Sequence, residues 1–139
     1  METSELRKRL TQTIERAKKQ AAERRTRGDE AAQAFDTVLK TIAVPLFRQA
    51  ANILKSEGYP FTLFTPAGSV RLMSDRVSED FIDVSLDVSG DTPQVVGHVS
   101  RSRGRRVVET ERNIGAPATL TEGELLDFLA RELEAFVDR

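Results

Sequence analysis

The spacing of apolar side chains changes twice along this chain, and each change predicts a different kind of element. Residues 4–27 contain neither Gly nor Pro and are rich in Glu, Lys, Arg, Gln and Ala, so a helix is predicted. Its apolar stripe is thin. Leu6, Leu10, Ile14, Ala17 and Ala21 recur at steps of 4, 4, 3 and 4, yet only three of the five are large. A helix with so little to bury reads as a solvated extension, a frayed arm or one strand of a weak coiled coil. A strict heptad frame through Leu6 and Leu10 places Thr13, Gln20 and Arg24 on the seam. Gly28 can close this helix and Asp29 can cap the next, so a break is expected there; a single glycine costs a helix only ~1 kcal/mol, so the alternative is that the helix runs on.

From Ala31 the stripe thickens into the principal helix, with Phe35, Val38, Leu39, Ile42, Leu46, Ala50, Ile53 and Leu54 as a wide buried face. Pro45 lies inside it, removing a backbone donor and crowding the preceding turn, which predicts a kink or short break over 43–46. Gly58 and Pro60 stop the helix. After Pro60 the period becomes 2. Strands are predicted over 61–65, 69–74, 80–89, 94–101 and 105–113, joined by the turn-rich strings TPAGS, DRVSE, GDTP and SRGR. Links this short predict an antiparallel meander. In the third strand Ile82, Val84, Leu86 and Val88 alternate with Asp83, Ser85 and Asp87, as expected where one face meets the core and the other meets water.

A second helix is predicted over 122–138. Thr121 and Glu124 form a capping box, Leu120 and Leu125 a hydrophobic staple, and Leu125, Leu126, Leu129, Leu133, Phe136 and Val137 the buried face. The expected fold is therefore two-layer α+β: a basic helical extension over 1–28, then one domain over 29–139 in which helices cover one face of a five-stranded antiparallel meander.

Composition narrows the chemistry. The 139 residues suit one domain, and no run of ~18 apolar residues is present to span a bilayer. The opening METSELRKRLTQTIERAKKQ is charged throughout, without the apolar run of a secretory signal, so a cytoplasmic chain is expected. Without cysteine there is no disulfide, thiolate zinc site or thiol nucleophile, and His98 is the sole histidine. The net charge of -1 conceals a polar distribution: residues 1–28 hold nine Lys or Arg against four acids, and 118–139 hold two against six.

Three surfaces carry candidate chemistry. His98 alternates with Val96 and Ser100; with Asp83, Ser85 and Asp87 on the neighbouring strand it defines a candidate ligand-facing sheet surface, and a Ser, His, Asp grouping is conceivable there. A flat sheet lacks the pocket that such a grouping needs, and alternate carboxylates ~6 to 7 Å apart do not share a small ion unaided, so neither catalysis nor metal binding is expected. Neither G-x-G-x-x-G nor G-x-x-x-x-G-K-[ST] occurs, and no cofactor is expected. Arg101, Arg103, Arg105 and Arg106 surround the turn at Gly104, and with Arg24 and Arg25 of the basic helix they are candidate polyanion contacts. Opposing this are Glu109 and Glu111 beside the turn, the absence of interleaved aromatics and a pI near 5.9.

The reading that follows is a small non-enzymatic protein-binding or assembly module, with a homodimer through the N-terminal helix or a sheet edge as the expected partnership and no membrane contact. Nucleic-acid binding by the basic helix and the arginine hairpin is the alternative. In size, acidic pI and helix-plus-meander layout the chain resembles small secretion chaperones of bacterial export systems, from whose order five uninterrupted strands depart.

Overall fold

The computed structural model describes residues 1–137, so the final residue of the helix expected over 122–138 lies outside the described residues. Helix α1 (Thr3–Val38) passes through Gly28 without interruption. The break expected there does not occur, because Gly28 keeps a helical conformation and the cost of one glycine is small against 36 residues of strong helix formers. Burial begins only at Ala31, so residues 1–30 project as an arm about 40 Å long at ~1.5 Å per residue.

The interruption lies at Leu39–Ala43, where five residues form a wide π-helical turn, followed by α2 (Val44–Ser56) with Pro45 in its first turn. A proline there gives up only a donor that a helix start leaves free. The turn also resolves a conflict of phase. At ~100° per residue, the buried Leu46, Phe47, Ala51 and Leu54 would lie about a third of a turn round from Ala31, Phe35 and Val38 on an unbroken α-helix. A π turn absorbs one extra residue and restores a single inward face. This is why Ile53, expected inward, is 62% exposed, while Phe47, outside the expected stripe, is fully buried.

Helix α2 ends in a complete left-handed closing motif. Gly58 has φ 93°, its N–H donates to Lys55 O, and the Tyr59 N–H donates to Leu54 O at 2.7 Å. Five strands follow in antiparallel order β1-β2-β3-β4-β5: β1 (Phe61–Phe64), β2 (Ser69–Ser74), β3 (Phe81–Asp87), β4 (Gln94–Arg103) and β5 (Arg106–Gly115). The inward positions Val70, Leu72, Ile82, Val84 and Val95 are fully buried. Helix α2 covers β1 and β2, and α3 (Glu122–Val137) crosses β4 and β5 toward β1, where Phe136 meets Phe61 edge to face at 5.9 Å. The expected two-layer α+β fold is thus the observed one.

Helix α3 starts as its sequence requires. The Thr121 N–H donates to Glu124 Oε1 and the Glu124 N–H to Thr121 Oγ1, each at 3.2 Å. Its buried face is Leu125, Phe128, Leu129, Glu132 and Phe136; Leu126 is exposed, and Phe128 occupies the inward position instead. Glu132 is buried because Arg112 of β5 lies against it, with Nε 2.5 Å from Oε1. The contact is an ion pair without hydrogen-bond alignment, since no described donor satisfies that oxygen geometrically.

Beyond Ser100 the β4–β5 hairpin extends past β3, whose register with β4 ends at the Phe81 and Ser100 pair. Asp80 takes over: its Oδ1 accepts the Ser102 N–H at 2.7 Å, and Glu79 O accepts the Ser100 hydroxyl at 2.6 Å.

Candidate functional site

On the outer sheet face the register aligns Arg71, Asp83, His98 and Glu111 in one row across β2 to β5. Alternation left Asp83, Ser85 and Asp87 as the residues that could oppose His98, and the register selects Asp83. Arg71 was not anticipated, and it determines what Asp83 does. Its Nε and Nη2 donate to the two carboxylate oxygens at 3.2 and 2.7 Å, and the guanidinium carbon lies 4.1 Å from the centre of the Phe81 ring. The hydrogen bonds to Asp83 hold the Arg71 guanidinium above its ordinary pKa against the lowering effect of burial. His98 packs edge-on against the same ring at 5.6 Å, and its Nε2 stands 3.6 Å from Glu109 Oε1, beyond hydrogen-bond length.

Ser85 faces Val96, one pair along from His98, so the three members of the conceivable grouping do not converge. Asp87 is engaged locally at the strand end, where its Oδ1 accepts the Ser89 N–H at 2.9 Å and the Ser89 hydroxyl at 2.6 Å. The hydroxyl, then the N–H, hold this carboxyl below the usual aspartate range. Among the described residues no group of three or more His, Asp or Glu gathers as a metal site.

The arginine hairpin has a two-residue turn, Gly104 and Arg105, with Gly104 at φ 64° as a type II′ turn requires of its first central residue. Arg103 and Arg106 lie directly across from each other, and Arg101 shares their face two residues along. Like charges directly opposed destabilise a strand pair unless an anion lies between them. Arg24 and Arg25 belong elsewhere. They line a groove of about 710 Å³ between α1 and the turn joining β3 to β4, at the opposite end of β4. Nine residue steps along β4 put ~30 Å between this groove and the hairpin, so one chain does not combine the six arginines in one patch.

The arm carries an uncovered apolar row. Leu6, Leu10 and Ile14 are 46%, 54% and 53% exposed on one side of it. At ~100° per residue their stripe continues through Ala17, Ala21 and Gly28 to Ala32, and lies within about 60° of the direction in which Ala31, Phe35 and Val38 enter the core. The face that the base buries therefore continues uncovered down the arm, ending in the groove beneath Gly28. Its far wall holds Val88, 55% exposed, and Pro93. The stripe was legible from the sequence, but the groove was not, because Val88 and Pro93 reach it only through the β3–β4 turn.

No described helix is long and apolar enough to cross a membrane. Compared with models of known protein families, with curated proteins and with solved structures, the chain matches none.

Proposed function

We propose that this chain is a non-enzymatic protein-binding and assembly module whose docking element is the arm of residues 1–28. The supporting observation is the exposed row Leu6, Leu10 and Ile14 on a helix whose first 20 residues are all exposed. A lone helix gains its stability mainly by packing an amphipathic face, so this row is a surface made for a partner. Site-specific photo-crosslinking in the host cell tests it. A probe at Leu10 is expected to capture polypeptide, whether self or another protein, while a probe at Lys19 on the opposite face captures far less. Equal capture from both faces, or none, overturns the reading.

A second reading is polyanion binding at the hairpin, favoured by the direct opposition of Arg103 and Arg106. It predicts appreciable affinity for mixed-sequence DNA or RNA that falls steeply with salt and is lost on replacing Arg103, Arg105 and Arg106 with Ala. Absence of binding at low salt eliminates it.

A further inference from the structure

Several surfaces are poor candidates for a partner. The edge of β5 is long and exposed, but self-pairing centred on Thr110 sets Glu109 against Glu111, a repulsion that guards the edge. In the outer-face row Arg71 and Asp83 already satisfy each other. The small cavity of about 230 Å³ beside Tyr59, Ser74 and Phe136 has a mainly apolar lining. The arm and its groove differ, because their shape specifies what fits them.

We infer that the occupant of the arm is the arm of a second copy of this chain, laid antiparallel; this deepens the docking role proposed above and rests on it. Side-chain size along the stripe is graded, with Leu6, Leu10 and Ile14 toward the tip and Ala17, Ala21 and Gly28 toward the base. Antiparallel pairing about a two-fold axis beside Ile14 puts Leu6 of each chain on Ala21 of the other and Leu10 on Ala17, so large side chains meet small ones on either side of a central contact between the two Ile14 side chains. Parallel pairing instead stacks alanine on alanine and gathers Arg24, Arg25 and Arg27 of both chains.

In this register Thr3 falls opposite Arg24 and Leu6 opposite Ala21, and both Arg24 and Ala21 line the groove. The groove of about 710 Å³ is thus met at its near end, by Ala21 and Arg24, with Val88 on its far wall. One local charge pair fits this register against the net repulsion of two basic arms, because Glu2 of the partner lies on the same flank of the stripe as Arg24 at the groove.

The chain has no native cysteine, so single cysteines report the pairing cleanly. Purified full-length Leu6→Cys and Ala21→Cys chains, mixed in a thiol redox buffer, are expected to give the mixed disulfide ~tenfold over either homodimer, as thiols held in register should. Glu2→Cys with Arg24→Cys leaves the stripe intact and is expected to behave alike. Adding Leu10→Glu and Ile14→Glu should abolish both products and return the mass in light scattering to that of a monomer. Dominant Leu6→Cys homodimers, or a monomer without crosslinks, overturn the antiparallel self-pair. If the cellular probe at Leu10 still captures another protein, the docking role survives that failure; if it captures nothing, both fall.

Discussion

Gly97 of β4 lies under the ring of Phe128 of α3 so closely that a Cβ on Gly97 would stand 2.2 Å from Phe128 Cζ. The absent side chain lets α3 settle on the sheet, and Phe128 fills the space.

Gly97→Ala is therefore expected to destabilise the fold by ~1 to 3 kcal/mol through overpacking, read as a lower urea midpoint. Phe128→Leu in the same chain should recover part of the loss, a coupling that independent sites would not show. Additive losses would mean that the ring moves aside freely.

Asp80→Ala removes the acceptor that replaces β3 for the Ser102 N–H. The expected cost is ~1 to 3 kcal/mol, with faster hydrogen exchange at Ser102 and across the hairpin turn. Unchanged protection at Ser102 would show that the hairpin holds itself.

The Asp87 carboxyl is held below its ordinary value, first by the Ser89 hydroxyl and then by the Ser89 N–H. A depressed folded-state pKa contributes stability that is present above the unfolded value of ~3.9 and is lost as pH falls through the folded value. Ser89→Ala should raise the Asp87 pKa toward ~3.9 in an NMR titration and flatten the acid limb of stability. No movement of the titration would rule out the hydroxyl as the cause.

Salt separates the two proposed partners. Two arms of net charge +5 repel, so arm pairing should strengthen between low and high ionic strength as screening sets in. Polyanion binding at the hairpin should weaken over the same range. Sedimentation and nucleic-acid titration at two salt concentrations read both.

The fold was legible because period and turn chemistry are local: the capping box at Thr121, the stop at Gly58 and the strand alternation lie within a few residues of what they determine. Errors arose where a residue's orientation depended on something distant. Ile53 and Phe47 exchanged places because the wide turn shifts phase, and Leu126 and Phe128 exchanged places because the space above Gly97 admits an aromatic ring. For the sites, alternation put Asp83, Ser85 and Asp87 on the face that could oppose His98, whereas which of them does so, and the place of Arg71 beside it, required the exact register. Whether Arg24 and Arg25 of the basic helix lie near the hairpin depended on the direction of the arm, which periodicity does not give.

The π turn at Leu39–Ala43 accommodates one residue more than a regular helix needs, with both flanks kept in phase. Loss of a single residue here would preserve the orientation of arm and base, whereas loss elsewhere in the long helical rod would swing the arm about its axis by ~100°. Homologues are thus expected to tolerate a one-residue gap within 39–43 and, where they carry it, to have replaced Pro45, since a regular helix would again require the amide that proline lacks.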